Sequence, residues 1–459
     1  MAEATTPPGL PRRYCPWSMV EFADGFSGDP WWWRHASPAE RPTPPPDRAD
    51  VVVIGAGYAG LSCAMAVAEA GRSVVVVDSL RVGEGAAGRN AGLCSGRAGI
   101  SKMINLEAYV GQGKAAAILD EADEAFAYFR SMAQEVAPGA YEHRGRFVAA
   151  RTPYAFANLA KKYQEYRSAS VNGASTAGFE LVDASGIGRF VASDVFHGGM
   201  SVEDAGLVHP ARYVHGLLAR AEFLGVAVHT GVRVTGIDSA GPNRSVSVKT
   251  ADGDRTIRAT EIVLATNGYT DSSAPWHRAR IVPMSSTIIA TETLGRERVE
   301  ALLPAMTTVI DTNRVIVYAR PTPGGEGILF GGRARFHPVG PDTAASVLYD
   351  QMMKVFPSLA GVKVTNAWSG YMAFTKDWLP KIGQHDGLYY TLGCNGGSGV
   401  VLMSWLGRKI GQQAVGNEAG RSSLEDIAFR RQPLGRWTSA GVPLAGIWYR
   451  TRDAFDSRR

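Results

Sequence analysis

The run Gly55-Ala56-Gly57-Tyr58-Ala59-Gly60 spaces three glycines as G-x-G-x-x-G. Gly55 permits a tight turn, Gly57 lets the backbone approach a pyrophosphate, and Gly60 lets a helix lie close on a strand. A helix that starts here offers unpaired N–H groups and the positive end of its dipole to phosphates. Asp78 follows eighteen residues after Gly60, where a carboxylate accepts hydrogen bonds from a ribose. The chemistry on offer is capture of a dinucleotide. Such a motif is weak alone, and its flanks decide its meaning.

Those flanks fit. Residues 51–54 are a short continuous apolar run, as a strand buried on both faces of a parallel sheet requires. An Ala-rich stretch over 61–70 predicts a helix that Gly71 ends, and 73–77 predict a second buried strand closing at Asp78. Apolar residues returning every three or four positions predict helices over 114–135, 154–168, 210–224 and 399–415. Strands are expected over 226–229, 231–237 and 261–265, with a hairpin of 245–250 and 255–259 across Asp252-Gly253. Residues 314–320 and 327–335 read as strands about the turn at 323–325. The alternation predicts an α/β protein. Its Rossmann-like dinucleotide-binding domain is discontinuous, and an α+β substrate domain on a mixed, largely antiparallel sheet is interleaved with it.

The unit so far does not separate FAD from NAD. Residues 81–92 do: seven of these twelve are Gly or Ala, a backbone able to lie tightly against something flat and bulky. Within it, Gly88-Arg89-Asn90-Ala91-Gly92 resembles the flavin loop of the D-amino-acid-oxidase-like family, with Ala87 in place of a usual serine. Ala265-Thr266-Asn267-Gly268 is similar to that family's strand-end loop touching the cofactor. Thr230-Gly231-Val232-Arg233-Val234 resembles its adenine-side segment, with Val234 nearest the ring. Gly393-Cys394-Asn395-Gly396-Gly397-Ser398-Gly399-Val400 resembles its last flavin-binding element. The likeness, with the start Tyr14-Cys15-Pro16, extends to the gamma-glutamylputrescine oxidase-like branch. It implies FAD as cofactor, held by these segments together with Ser79, Arg81 and Leu93, and a small-molecule amine as substrate. It also implies hydride transfer from the carbon of a C–N bond to flavin N5, hydrolysis of the imine, and reoxidation by O2 or another acceptor.

Three departures from the family refine this. Relatives that bind flavin covalently use a cysteine near the position of Gly370, so attachment here is expected to be non-covalent. Leu329 stands where those relatives place a lysine thought to assist oxygen reduction. Met372 stands where amino-acid-oxidising relatives place a carboxylate-gripping arginine. Arg320, Arg333 and Tyr318 are the remaining candidate catalytic groups, on strands whose alternation can point them into the site. A salt bridge or an exposed strand position is the plainer reading of each arginine. Arg89 is expected to order the flavin loop, and His209, just before Pro210, to serve a helix start.

The arm over residues 1–49 holds Pro44-Pro45-Pro46 and Trp31-Trp32-Trp33. Three adjacent indoles are costly to leave in water, so the arm is expected to wrap onto the body or onto a second subunit. The FAD-binding domain is expected over 50–98, 196–275 and 366–430, the substrate domain over 99–195 and 276–365, and a tail over 431–459. A net charge of +5 in 459 residues, with no basic stripe carrying aromatics, argues against a nucleic-acid partner. No apolar run is long enough to span a bilayer, and the N-terminus lacks an export pattern. Four widely spaced cysteines without a C-x-x-C pair argue against a zinc ribbon or a redox dithiol and fit a reducing cytoplasm; no metal is expected. Three other readings stay open: a dehydrogenase feeding a quinone or protein acceptor, an NAD(P)H-dependent flavin monooxygenase, and a non-catalytic flavin-binding protein.

Overall fold

The computed structural model describes residues 20–100, 106–170, 178–333, 339–394 and 399–433. Strands Arg48–Ile54 and Val74–Asp78 run parallel, from Val51 opposite Val74 to Ile54 opposite Val77, joined through helix Tyr58–Glu69. Ala227–Thr230 adds to one side of this pair, Gly253–Leu264 and then Leu388–Leu392 to the other, all parallel. Helix Gly399–Ala414 packs along Tyr58–Glu69 at backbone contact. A Cβ on Gly407 would stand 2.3 Å from the Ala59 carbonyl oxygen, and one on Gly411 2.5 Å from that of Cys63. Where both faces of the sheet are buried, the runs 51–54, 74–77 and 262–264 are continuously apolar, the signal that made them legible.

The two strands expected over 255–259 and 261–265 are one, Gly253–Leu264. Its first half pairs antiparallel with Arg244–Thr250 and alternates in burial; its second half enters the parallel sheet and is buried on both sides. The change of pattern marks a change of surroundings without a break in the chain.

Nine strands form the second sheet, in the order Phe22–Ser27, Val364–Phe374, Val282–Thr291, Ile328–Gly332, Val317–Pro321, Thr308–Asp311, Arg146–Ala149, Gly199–Val202, Phe179–Val182. All neighbours are antiparallel except the first pair and the pair Thr308–Asp311 with Arg146–Ala149. Residues 199–202 and 366–374 therefore pair in this sheet, across the boundaries expected at 196 and 366. Val282–Thr291 and Val364–Phe374 are paired over ten residues, which joins sequence segments that looked separate. The tryptophan arm seats on its own chain, with Trp32 fully buried among Ile288, Tyr318, Leu329 and Trp368. Among the described residues no helix is long and apolar enough to cross a membrane.

Candidate active site

A cavity of about 1320 Å³ is walled by both sheets. One end is the dinucleotide motif. The first bond of helix Tyr58–Glu69 runs from the Leu61 N–H to the Gly57 carbonyl at 3.0 Å, so the amides of 57–60 precede the helical ladder, and no side chain caps them. Gly57, Tyr58 and Ala59 line the cavity, and Gly55 lines it with φ at +109°, a value that favours glycine. Gly60 does not line it. A Cβ there would fall 1.7 Å from the Gly55 oxygen, so this glycine sets how closely helix and strand approach. Asp78 is fixed at the wall, one oxygen accepting from the Ala56 amide at 2.7 Å and the other from Leu80 at 2.8 Å. Burial pushes its carboxyl up to about 6, against the lowering effect of those two amides. Ser79, Arg81 and Val234 line the same end, with Arg81 paired to Glu84 at 2.9 Å.

The loop over 86–93 forms the next stretch of wall. Asn90 organises it from inside: its Nδ2 donates to Ala86 and Ala87 oxygens and to the Tyr58 hydroxyl, while its Oδ1 accepts from the Gly92 amide at 2.8 Å. Arg89 donates to the Glu84 oxygen at 2.6 Å and to that of Ser369 at 3.3 Å, the loop-ordering role read for it in the sequence. Arg89, Asn90, Ala91 and Leu93 face the cavity; Gly88 and Gly92 do not. A Cβ on either would come within 2.0 Å of a carbonyl, on Gly83 and Val208 respectively, so both let the loop fold back on its supports. Thr266 and Asn267 also line the wall. Asn267, at φ +45°, turns its Oδ1 onto the amides of Gly393 and Cys394, which joins the strand end to the last glycine-rich element. Gly268 and Gly393 stand behind the wall, Gly399 and Val400 on it. Gly396, Gly397 and Ser398 lie outside the described residues.

The far end is built by the nine-stranded sheet. Tyr318 and Arg333 line it; Arg320 does not, which corrects the expectation that alternation carries it into the site. The Arg320 guanidinium is captured before it reaches the cavity, donating to the oxygens of Ala91 at 2.8 Å and Val208 at 3.1 Å. Burial pushes it down to about 10, still cationic at neutral pH. Tyr318 lies across Gly331, where a Cβ would be 2.1 Å from its ring, and shares a hydrogen bond with Ser286. Desolvation pushes its phenol well up, so it serves as a neutral donor or acceptor. Arg333 lies beside the Met284 sulfur at 4.0 Å. His209 caps helix Pro210–Phe223, its Nδ1 accepting from the Arg212 amide at 3.2 Å, as its place in the sequence implied.

Sequence reasoning missed Val282, Met284, Ser286 and Ile288, alternate residues of one strand and all on the cavity wall. Their period of two was the available signal. Arg146 and Arg314 also line this end; pairing of Arg146–Ala149 with the distant Thr308–Asp311 places Arg146 in the second sheet, and Arg314 stands on the loop between Thr308–Asp311 and Val317–Pro321. Met372 does face the cavity, and Leu329 lies in the apolar cluster around Trp32 instead. Cys94 is 2% exposed and off the wall, its thiol pushed up by burial; Cys394 is on it.

A family model described as DAO, FAD dependent oxidoreductase, matches residues 50–413. The chain belongs to this family. It is 28% identical over 428 residues to the probable oxidoreductase OrdL of Rhizobium meliloti, covering 92% of this chain and 97% of the relative. With the gamma-glutamylputrescine oxidoreductase of Escherichia coli it shares 29% over 407 residues, 88% of this chain and 92% of that one. The crystal structure of glycine oxidase from Geobacillus kaustophilus superposes with a TM-score of 0.68 at 18% identity, covering 84% of this chain and 99% of that one. The enzyme is therefore an FAD-dependent oxidoreductase. Its residues fit that cofactor: a Cβ-free cradle at Gly57, uncapped helix amides, an anchored carboxylate at Asp78 and a continuous cavity from there to the second sheet.

Proposed function

We propose that this flavoenzyme oxidises a C–N bond in a small amine or amino-acid derivative. The observation that carries the reading is the continuity of the cavity: one space runs from the Gly57 helix end, past the loop at Asn90, to the wall of Tyr318, Arg333 and Met372. Likeness to a gamma-glutamylputrescine oxidoreductase supports an amine as the substrate. FAD, when bound, supplies the acceptor for a hydride from the carbon beside nitrogen. The substrate nitrogen gives up a proton, and water converts the imine to a carbonyl compound and a free amine or ammonia. Reoxidation by O2 would take up the two electrons with two protons, the equivalents of the hydride and of the proton released from nitrogen, giving hydrogen peroxide.

In this reading the amides of 57–59, Asp78, Ser79, Arg81 and Val234 hold the nucleotide end, and Arg89 to Ala91, Thr266, Asn267, Gly399 and Val400 surround the flavin. Tyr318 orients the substrate through a neutral hydroxyl, and Arg333 offers a cation to an anionic part of it. The base is the medium: an amine that binds deprotonated needs no side chain to take its proton. Leu329, buried among apolar residues, supports a second reading in which a quinone or protein, and not oxygen, accepts the electrons.

The test is anaerobic addition of a panel of primary and secondary amines and amino acids while the visible flavin absorbance is followed. Bleaching by one compound, with colour returning in air, supports the oxidase. Bleaching that persists in air supports the dehydrogenase. Bleaching by NAD(P)H alone would overturn the amine reading.

A further inference from the structure

Three consecutive carbonyls of the loop beside the flavin are each held from behind by a different buried side chain. Trp368 Nε1 donates to the Arg89 oxygen at 2.9 Å, Trp32 Nε1 to that of Asn90 at 3.0 Å, and Arg320 Nη1 to that of Ala91 at 2.8 Å. The donors come from two strands of the second sheet and from the turn Trp31–Arg34 of the N-terminal arm. They also support one another: Trp32 meets Trp368 edge-on at 6.3 Å and lies 5.3 Å from the Arg320 guanidinium.

A trans peptide carries its C=O and N–H on opposite sides. Holding the Asn90 carbonyl toward Trp32 therefore turns the Ala91 N–H away from Trp32, and Ala91 is on the cavity wall while Trp32 is not. We propose that Trp32 is a positioning residue for the flavin: through the Asn90 carbonyl it aims the Ala91 N–H at the cofactor. The arm, separate in sequence from the dinucleotide motif, thereby becomes part of the redox site. Trp32 is fully buried, with Ile288, Leu329 and Tyr318 in the same apolar cluster, so a smaller ring there also costs packing, which the melting temperature reads separately. The N–H is the feature a phenyl ring lacks. The turn is anchored on its outer side as well, Arg34 donating to Asn366 Oδ1 at 2.6 Å and Asn366 in turn to the Asp29 oxygen at 3.0 Å. The proposal rests on FAD binding and is independent of which substrate is oxidised.

The experiment compares Trp32→Phe with Trp31→Phe, a neighbour that packs on Trp32 and His35. Three quantities are read: the Kd of apoprotein for FAD, the midpoint potential of the bound flavin, and the melting temperature. Loss of one hydrogen bond that positions the loop is expected to weaken FAD about 2- to 12-fold. The same factor acting unequally on the two redox states shifts the potential by about 10 to 30 mV, at 29.6 mV per decade. Trp31→Phe is expected to leave both near their starting values. An arm that is only glue would weaken both redox states alike, so a lower melting temperature with an unmoved potential overturns the proposal. Should Trp32→Phe not fold, Arg34→Ala at the exposed side of the turn is expected to shift Kd and potential more weakly, and no change in either would equally overturn it.

Discussion

Gly60→Ala adds one carbon where the structure has no room for it. The new Cβ would lie 1.7 Å from the Gly55 oxygen and 2.9 Å from its carbon, both backbone atoms that no rotamer change can move. Restoring an unstrained C···O separation of ~3.3 Å needs the helix to retreat from the strand by about 1.5 Å. That retreat carries the amides of 57–59 with it, and an N–H···O bond of ~2.9 Å becomes a gap of about 4.4 Å. Two charge-assisted bonds to phosphate are worth ~1.5–3 kcal/mol each, so FAD binding should weaken at least about 100-fold. Overpacking should also destabilise the apoprotein by about 1–3 kcal/mol. Gly113→Ala is the control, since nothing lies within 4 Å of its Cβ position and it sits in helix Gln112–Val136. It should leave FAD binding alone and stabilise by up to ~1 kcal/mol. Both variants are to be followed by absorbance titration with FAD and by thermal unfolding. A Gly60→Ala protein that binds FAD within threefold of the parent would refute the claim that this contact sets the position of the phosphate site.

Asp78, pushed up to about 6 by burial, accepts better when ionised. FAD binding should weaken as pH falls through about 6, and Asp78→Asn should remove most of that dependence in titrations from pH 5 to 8. His209 and His277 are both pushed down to about 3, chiefly by burial, with Arg212 next for His209 and His385 for His277. Below ~6.5 the unfolded chain takes up these protons while the folded one resists until about 3. Their contribution to stability is therefore full above 6.5 and is lost as pH falls toward 3, on the order of a few kcal/mol. Melting temperature should drop across that window, less so in His277→Phe. Arg333→Met should raise KM for a substrate carrying a carboxylate at least about tenfold and spare an uncharged amine; equal effects on both would reassign Arg333 to structure.

The glycine-rich turn, the helix it opens and the strand that ends at Asp78 were legible because their determinants are local. Gly55, Gly57 and Gly60 act through steric demands on a single turn, and Asp78 ends the next strand of the same unit, so spacing along the chain equals arrangement in space. Buried parallel strands add a continuous apolar signal. The loop at 86–93 was legible from its Gly and Ala content and from its resemblance to a family motif; Asn90 bonds residues two to four positions away, but its supports Tyr58, Trp32, Trp368 and Arg320 are distant in sequence.

Alternation alone placed Tyr318 and Arg320 on one face of a strand, and no more than that was available from the sequence. Which of them meets the cavity depends on where Ala91 and Val208 present their carbonyls, and those come from segments more than a hundred residues upstream. Arg146 and the alternate residues of Val282–Thr291 reach the wall because distant strands pair in one sheet. The seat of Trp32 has the same origin. The apolar character of three indoles implied that they must be covered, but the cover is a surface assembled from five strands of the second sheet and a helix. The wall from Gly55 to Asp78 was therefore written in contacts between near neighbours in sequence, while the far wall was decided by long-range strand pairing, whose partners no local pattern specifies.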